Sequence, residues 1–414
     1  MILKLAKKAK KASFELAVLS AKQKNEALLA CSQALLDNAQ FIIKENRKDL
    51  KKVKKTKYAA AFINRLTIGE LQIDDMSNSF KAIAALPDPV GGLMKEWAAP
   101  SGFWIKKVRV PIGVIAIIYE SRPDVTSDCI GLCLKSANSV ILRGGSEAIN
   151  SNKAIYKVLT GAMGKAGIPD GAACLVTTTA RGEVRNLLRL SGYIDLVIPR
   201  GGESLIAEVC KFSRIPVIKH YKGICHVYVD IDADPAMAQE ICFNAKVQRP
   251  SACNAMETML VHQEIAAAFL PAMIKRFKDA GVEIRGCPLT RKIIINGLIA
   301  AKEKDFFNEY LGLVLNVKVT KSLNEAIAHI NTFGSHHSDT IVTANTSTAF
   351  EFLNKVDSAC VYHNASTRLT DGFQFGMGAE MGISTDKIHA RGPMALEELT
   401  TYKYLIYGKG HLRR

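Results

Sequence analysis

The order of apolar and polar positions divides most of the chain into alternating segments. Beyond residue 110, short continuous apolar runs alternate with longer segments in which apolar residues recur with helical spacing. Strands that are apolar at consecutive positions are buried on both faces, as in a parallel sheet covered by helices. The first series therefore predicts a doubly wound α/β unit. Its strands are expected at residues 114–119, 139–142, 173–177, 194–198 and 215–219, and its helices at 127–137, 152–165, 181–190 and 203–212.

The same alternation resumes near residue 226 and predicts a second α/β unit. Ahead of both units, a helical region extends to about residue 85, and residues 103–110 are expected to form an extended strand. The segments expected in the second unit are 226–231, the helix 235–246, 256–261, the helix 266–278, 282–285, 313–319, 323–330 and 340–343.

The composition is that of a soluble globular protein with two or three domains. The chain has 414 residues, of which 48% are hydrophobic and 23% are charged. No apolar run approaches the roughly 20 residues that cross a bilayer, and no signal peptide is evident. Ten cysteines are scattered through the chain, which favours reduced thiols over a disulfide framework. We therefore expect a cytoplasmic location and no membrane partner.

The formal net charge is +16, and much of it lies in two lysine-rich runs at residues 4–11 and 47–57. Both runs fall within helical periodicity, so the charge is spread around a helix, as is typical of a solvated face. Attraction of acidic substrates is the alternative. No aromatic residues interleave with these cations to stack bases, which argues against a nucleic-acid partner.

Cys253 is the candidate nucleophile. It lies in a polar, proline-marked turn that follows a helical pattern and precedes an apolar run. A thiol on such an irregular connection can meet a substrate, whereas a packing role is the alternative for it and for the other cysteines. Cys129 and Cys133 have helical spacing, but no third and fourth ligand follow at the spacing of a zinc site. We therefore expect no metal site.

Two pairs of glycines stand at the expected carboxyl ends of strands in the first unit. Paired glycines let the backbone approach a pyrophosphate, and a following helix N-terminus offers free amides; tight turns are the alternative. An arginine and a serine beside the first pair would suit a 2′-phosphate, which favours NADP. The candidate cofactor residues here are Arg143, Gly144, Gly145, Ser146, Gly201 and Gly202.

Several long, ordered blocks of sequence, spread over essentially the whole chain, resemble the gamma-glutamyl phosphate reductase family. These blocks are residues 110–126, 142–148, 248–258, 325–331 with 334–339, 364–368 and 388–393. The resemblance implies an aldehyde dehydrogenase-like α/β fold, with a Rossmann-type cofactor domain, an α/β catalytic domain and a small β oligomerisation arm. It also implies that L-glutamyl 5-phosphate is reduced with NADPH to L-glutamate 5-semialdehyde, releasing phosphate, in proline biosynthesis.

The resemblance implies that Cys253 is the nucleophile of this reaction, passing through a thioester and a thiohemiacetal. Asn254 and Arg122 are the candidate donors to the developing oxyanion. The family resembled belongs to the aldehyde dehydrogenase superfamily, whose hydrolytic members carry a glutamate base upstream of the catalytic cysteine. Alignment places Lys219 at the position of that glutamate. Without a carboxylate to activate water, the thioester would be spared from hydrolysis. Lys219 could pair with phosphate, or it could be a cation at the end of a strand.

Two arginines near the C-terminus, Arg368 and Arg391, could each bind an anionic group of the substrate bidentately. A structural ion pair is the alternative for each of them. Glu309 matches the superfamily glutamate that holds the nicotinamide-side ribose, and an exposed loop acid is its alternative. We expect the substrate and phosphate to be the small-molecule partners.

The resemblance also implies the domain boundaries. Residues 1–88 and 111–225 would form the NADP-binding domain, residues 226–364 the catalytic domain with Cys253, and residues 365–394 a segment that returns to the cofactor domain. Residues 89–110 and 395–414 would form the arm. A projecting strand pair cannot bury its apolar face alone, so a homo-oligomer is expected. Cys253 is expected near the domain junction, and functional coupling to glutamate 5-kinase is a further expectation.

Three rival functions remain. One is another NAD(P)-dependent semialdehyde dehydrogenase of the superfamily, which would need no phosphate. The others are a catalytically silent scaffold of the same fold and a basic nucleic-acid-binding protein, whose affinity would depend steeply on salt.

Overall fold

The computed structural model describes residues 1–53, 60–178, 180–219 and 222–413. It divides into two compact units: unit 1 comprises Met1–Lys219, Gly376–Gly382 and Met394–Arg414, and unit 2 comprises His220–Phe375 and Ile383–Pro393. The division says nothing about the roles predicted for the domains, which stay predictions. In the second basic run, Lys54, Lys55 and Lys57 lie outside the described residues.

The helices of the described residues follow the predicted pattern closely from residue 124 onward. They are α1 (Ile2–Leu16), α2 (Ala21–Asp37), α3 (Ala39–Val53), α4 (Ala60–Leu66), α5 (Glu70–Ala85), α6 (Asp124–Lys135), α7 (Ile149–Lys165), α8 (Arg181–Leu187), α9 (Glu203–Phe212), α10 (Pro235–Val247), α11 (Gln263–Asp279), α12 (Pro288–Ile293), α13 (Leu323–Phe333) and α14 (Thr346–Lys355).

Within the described part of the chain, the strands form two large parallel sheets and two small antiparallel ones. They are β1 (Leu93–Ala98), β2 (Trp104–Pro111), β3 (Val114–Tyr119), β4 (Ser139–Arg143), β5 (Ala173–Leu175), β6 (Leu196–Arg200), β7 (Cys225–Val229), β8 (Met256–His262), β9 (Glu283–Gly286), β10 (Ile299–Ala300), β11 (Val314–Thr320), β12 (Ser338–Val342), β13 (Cys360–His363), β14 (Ile383–Ser384), β15 (Gly392–Pro393) and β16 (Thr400–Tyr407).

Unit 1 is built on a four-stranded parallel sheet with the order β5-β4-β3-β6. Every residue of β3 is buried, as its continuous apolar run predicts. Ile2, Ala6 and Ala9 of α1 pack with β3 and β6 in one core, and α6 and α7 pack on the same sheet. The predicted doubly wound unit is confirmed, and the N-terminal helix α1 forms part of it.

The strand predicted at residues 215–219 is wrong. The structure has a single parallel bridge there, between Val217 and Val197. It is flanked by two hydrogen bonds, from Val197 N–H to Pro216 O at 2.9 Å and from Ile218 N–H to Val197 O at 3.1 Å. Pro216 has no N–H to donate, which shortens the ladder. Lys219 therefore follows an isolated bridge rather than ending a strand.

Unit 2 is built on a seven-stranded sheet with the order β10-β9-β11-β8-β7-β12-β13, in which all pairs are parallel. Successive side chains of one strand enter opposite layers. Met259 and Val261 of β8 pack in a core that includes α10 and α11, whereas Leu260 packs with α13 and α14. The second predicted α/β unit is confirmed. Both faces of its central strands are covered.

Local signals place the helix that leads into the Cys253 turn. The carboxylate of Asp234 accepts a hydrogen bond from the Met237 N–H at 2.7 Å, and Pro235 occupies the first helical position. A side-chain cap followed by proline is a strong start signal, because the carboxylate satisfies one free amide at the helix N-terminus and proline, which has no N–H, removes another. The helix ends at Val247, ahead of Pro250. The chain therefore leaves the helix at the Cys253 turn.

A three-stranded antiparallel sheet of unit 1, in the order β1-β2-β16, exposes large side chains to solvent on both faces. β16 pairs along the length of β2, from Thr400 opposite Pro111 to Tyr407 opposite Trp104. Several large side chains of this sheet are about half exposed. They are Trp104, Tyr402, Tyr404, Ile406 and Tyr407.

The basic residues described in the two lysine-rich runs lie mainly on exposed helix faces. Lys4, Lys7, Lys8 and Lys11 of α1 are exposed, and Lys10 is half-buried against the Asp195 carboxylate at 2.9 Å. The prediction of a solvated face is confirmed for these described residues.

Candidate active site

Cys253 lies on a short turn between α10 and β8 of unit 2. Hydrogen bonds from the Ala252 N–H to Arg249 O at 3.1 Å and from the Ala255 N–H to Ala252 O at 3.0 Å close the turn. The residue is partly exposed, although the flanking strand β8 is almost wholly buried. The turn therefore presents a reachable thiol on a firmly held backbone.

Exposure separates Cys253 from most of the other cysteines, all of which lie in the described residues. Eight are buried, and Cys210 is the other partly exposed one. Burial raises the pKa of Cys31 to about 12 and that of Cys174 to about 11. Thiols with such pKa values stay protonated at neutral pH and are poor nucleophiles. Burial also raises the pKa of Cys129, Cys133, Cys225 and Cys242.

The carbonyl group of Cys253 is held by two residues at the start of the unit 2 sheet. The thiol of Cys225 donates to this oxygen at 3.3 Å, and a Cβ atom added at Gly223 would overlap the same oxygen. Glycine is thus required at 223 for close approach of two backbone segments. Neither residue was predicted from the sequence. A glycine just ahead of a buried strand was the available signal for Gly223.

Asn254 fastens the turn to the segment that carries Arg368. Its side-chain amide donates to Thr370 O at 2.9 Å and to Arg368 O at 3.3 Å, while its backbone oxygen accepts from the Thr367 hydroxyl at 2.7 Å. Both amide hydrogens are therefore engaged, and the side chain is buried. These contacts hold the turn against the segment of residues 367–370. The role of Asn254 as an oxyanion donor stays a prediction.

Arg368 contacts both ends of the turn. Its Nε donates to Gln248 Oε1 at 2.9 Å, and its Nη1 donates to Asn254 Oδ1. Burial lowers the pKa of Arg368, the Arg249 cation lowers it further, and Cys253 acts in the opposite direction. The structure thus brings Cys253, Asn254 and Arg368 together.

Arg249, a cation within the turn itself, was not predicted. Nearby cations favour the thiolate form of a cysteine.

Arg391 is engaged in an ion pair within unit 2. Its Nη2 lies 2.9 Å from Asp357 Oδ1 and donates to Asp357 O at 3.1 Å. Lys387 binds the other carboxylate oxygen at 2.6 Å. The hydrogen bond from Lys387, followed by that from Arg391, lowers the pKa of Asp357. The ion-pair alternative considered for Arg391 is thus realised, and a substrate contact stays a prediction.

The two glycine pairs of unit 1 stand at the carboxyl ends of two strands of its sheet. Gly144 and Gly145 follow β4, and Gly201 and Gly202 follow β6, with β3 between them. A Cβ atom at Gly144 would overlap the Asn152 side chain. One at Gly201 would press on the Glu120 carboxylate. Close packing thus accounts for these two glycines, in agreement with the tight-turn alternative. Cofactor binding by the two pairs stays a prediction.

Two carboxylates hold the loops at this edge of the sheet. Glu120 Oε2 accepts from the Gly202 N–H at 3.0 Å, and Glu147 Oε1 accepts from the Ser121 N–H at 2.7 Å. Ser146 beside them is exposed, and Arg143 is half-buried at the end of β4. A cation and an exposed hydroxyl at the carboxyl edge of a parallel sheet are a suitable pair for a phosphate group.

The remaining predicted residues occupy loops. Arg122 is half-buried between β3 and α6. Desolvation raises the pKa of Asp128 on α6 to about 7, and the charge of Arg122 opposes this rise. Lys219 is half-buried and is the last residue of the first segment of unit 1, Met1–Lys219. Glu309 lies between α12 and β11. Burial raises the pKa of Glu257 on β8 to about 7, and the charge of Glu309 adds to this rise. The catalytic or binding role of each stays a prediction.

Among the residues that the structure describes, there is no group of three or more His, Cys, Asp and Glu side chains that could hold a metal ion. In the same part of the chain, no helix is long and apolar enough to cross a bilayer.

Three comparisons bear on the identity of this fold. A model of the Aldehyde dehydrogenase family matches residues 2–312. The gamma-glutamyl phosphate reductase of Thermodesulfovibrio yellowstonii is 54% identical over 414 residues, covering 100% of this chain and 99% of the relative. The reductase of the same name from Carboxydothermus hydrogenoformans is 54% identical over 412 residues, with the same shares covered. The crystal structure of gamma-glutamyl phosphate reductase from Thermotoga maritima is 43% identical, covers 100% of both chains and has a TM-score of 0.97.

The chain therefore belongs to the aldehyde dehydrogenase family and is an oxidoreductase. The fold predicted from its sequence is confirmed. Within that family it belongs to the gamma-glutamyl phosphate reductases, as its sequence motifs indicated.

Proposed function

We propose that this protein reduces L-glutamyl 5-phosphate to L-glutamate 5-semialdehyde, with release of phosphate, as a step of proline biosynthesis. The observation that carries the proposal is the partly exposed thiol of Cys253 on a turn held from several sides. The substrate class comes from relatives that match the whole chain and are named gamma-glutamyl phosphate reductases.

The thiolate of Cys253 attacks the acyl carbon, and the bond from that carbon to the phosphate oxygen breaks, which gives a thioester and free phosphate. The thioester carbon then accepts a hydride, which a nicotinamide cofactor would supply when bound. With a proton on its oxygen, the thiohemiacetal attached to Cys253 then collapses, releasing the aldehyde and the thiol. A thiolate suits this series of reaction steps because it is both a good nucleophile and a good leaving group.

The developing oxyanion needs donors that are already oriented. We assign this role to Arg122 and to Asn254. The amide of Asn254 would have to release its longer hydrogen bond, the one to Arg368 O at 3.3 Å. The thioester is protected because Lys219 stands where hydrolytic relatives carry a glutamate base, so no carboxylate there activates water.

The anionic groups of the substrate need cationic partners. We assign Arg368, which lies against the Cys253 turn, together with Arg391 and Lys219. Arg391 could share its guanidinium between Asp357 and a substrate carboxylate, because a guanidinium has five N–H donors.

We propose NADPH as the reductant. Arg143 and Ser146 would hold the 2′-phosphate, Gly144, Gly145, Gly201 and Gly202 would allow close approach of the pyrophosphate, and Glu309 would hold the nicotinamide-side ribose. The half-buried Arg143 and the exposed Ser146 fit this assignment, because neither presents a negative charge to the phosphate.

Replacing Ser146 by glutamate is expected to shift the ratio of kcat/KM for NADP over NAD by about 10- to 100-fold toward NAD. Two like charges a few ångströms apart near a protein surface repel by a few kcal/mol, which gives a change of this order. Steady-state kinetics with both cofactors measure the shift. Ser191→Glu is the matched control, since Ser191 is also exposed but lies ahead of β6, at the opposite edge of the sheet. An unchanged ratio in Ser146→Glu would remove Ser146 from the cofactor site.

The reaction class is tested by supplying glutamate semialdehyde with NADP or NAD, with and without phosphate. The proposal expects cofactor reduction that depends on phosphate and is faster with NADP. The rival semialdehyde dehydrogenase would reduce the cofactor equally well without phosphate, since water would then release the acid. Reduction independent of phosphate would therefore refute the proposed function.

We further propose a cytoplasmic homo-oligomer. The half-exposed apolar side chains of the β1-β2-β16 sheet support a second copy of this chain as its cover. Coupling to glutamate 5-kinase is proposed because acyl phosphates hydrolyse readily in water and gain from direct transfer.

A further inference from the structure

A fully buried ion pair joins the two elements that carry the Cys253 turn. Lys246 lies in the last turn of α10 and Glu257 lies on β8, with Lys246 Nζ 2.7 Å from Glu257 Oε2 and both side chains 0% exposed. Removing two charges from water is costly, and an apolar pair of similar volume is often at least as stable. Stability alone therefore does not explain this pair.

The second oxygen of Glu257 holds another segment of unit 2. Its Oε1 accepts a hydrogen bond from the Leu311 N–H at 3.3 Å. Leu311 has a φ of 52°, in the left-handed region that a side chain as bulky as leucine rarely adopts. The carboxylate thus helps to hold a strained backbone two residues after Glu309. Burial raises the pKa of Glu257 to about 7, and the charge of Glu309 adds to this rise.

The pair also borders the residue that contacts the carbonyl of Cys253. Cys225 on β7 is paired with Met256, the residue before Glu257, in the parallel ladder between β7 and β8. The Cys225 thiol in turn donates to Cys253 O at 3.3 Å. One contiguous cluster therefore links the ion pair, the Cys253 turn and the segment with Glu309.

We propose that Lys246 and Glu257 are positioning residues for the reaction: their ion pair fixes the Cys253 turn, and Glu257 also fixes the segment that carries Glu309. The proposal rests on the proposed roles of Cys253 and Glu309. The free-energy cost of burying this pair is then explained by its effect on two groups. These are the Cys253 thiol and Glu309, which is proposed to hold the cofactor ribose.

Two double variants separate alignment from folding. Single changes would leave an unpaired buried charge, which is strongly destabilising. Lys246→Met with Glu257→Gln removes both charges and keeps an oxygen acceptor for the Leu311 N–H. Lys246→Met with Glu257→Leu removes the acceptor as well. The matched control is Lys275→Met with Asp279→Asn, which removes an exposed ion pair on α11 of the same unit.

Four quantities are measured for each protein: the thermal midpoint, the rate of Cys253 alkylation by iodoacetamide as a function of pH, kcat, and KM for NADP. Both double variants are expected to fold and to lose about 10- to 100-fold in alkylation rate and kcat, the order expected for a displaced reacting group. KM for NADP is expected to rise about tenfold, roughly one hydrogen bond, only in the double variant that carries Glu257→Leu. The control is expected to match the parent.

Parental alkylation rate and kcat in both folded double variants would overturn the proposal. So would loss of the folded state in both, because the pair would then be explained by stability. An equal rise of KM for NADP in both double variants would remove the Glu309 part of the proposal. Cys253→Ala distinguishes this failure from that of the proposed function. If Cys253→Ala keeps activity, the proposed function fails; if it loses activity while the double variants behave as the parent, only the positioning proposal fails.

Discussion

Cys253→Ala is expected to lose phosphate-dependent NADP reduction by a factor on the order of 10⁴ or more, as is usual when a catalytic nucleophile is removed. Alanine cannot form the thioester, so the only remaining route is direct reaction of phosphate with the aldehyde. The partly exposed position of Cys253 means that the change leaves little void in the core. The thermal midpoint should therefore stay close to that of the parent, which steady-state kinetics and a melting curve together establish.

Cys210→Ala is the matched control, because Cys210 is the other partly exposed cysteine and lies on α9 of unit 1. It should retain the parental rate. Mass spectrometry gives an independent check: semialdehyde and NADP without phosphate should leave an acyl group on Cys253 that phosphate then removes. An adduct on any other cysteine, or full activity of Cys253→Ala, would contradict the assignment of the nucleophile.

Gly223→Ala is expected to have the second largest effect. The new Cβ atom would overlap the carbonyl oxygen of Cys253, and neither backbone segment can yield easily, since Ile224 N–H is bonded to Ser335 Oγ at 2.8 Å. Overpacking of this kind costs about 1–3 kcal/mol. Displacement of the thiol by about 1 Å would lower kcat by a factor on the order of 10². Denaturant unfolding and kcat measure the two effects.

Gly161→Ala in α7 serves as the control, because a Cβ atom there would meet no atom within 4 Å. This exposed helical position should gain about 0.5–1 kcal/mol from alanine, with no change in kcat. If Gly223→Ala kept the parental kcat, the close approach of residue 223 to the Cys253 carbonyl would not be needed to position the thiol.

Much of the fold could be predicted because burial on both faces leaves a local mark. The continuous apolar runs of β3, β4, β7 and β8 placed two parallel sheets near the observed positions. The strand predicted at residues 215–219 was wrong for a local reason as well. The segment is apolar, but Pro216 cannot donate a hydrogen bond and the segment pairs through a single bridge. Apolar character reports burial, while ladder length depends on which partner lies alongside.

The candidate site was predictable only in part. Cys253 could be recognised because its turn is polar and irregular between two regular elements. Its supports could not be recognised in this way. Cys225 reaches the turn through its contact with Cys253 O, and Lys246 is held by its ion pair with Glu257. These contacts join residues distant in sequence, and no periodicity marks them.

By itself, the sequence determined the two α/β units, the family and the candidate nucleophile, because periodicity, turns and ordered motifs are properties of local segments. Only the tertiary structure decided how the candidate residues are engaged. It pairs Arg391 with Asp357, turns both amide hydrogens of Asn254 toward the segment of Arg368, and buries Lys246 against Glu257. The physical reason is that a charge or an amide takes whichever partner the chain path brings within bonding distance, and that path is set by the packing of whole elements.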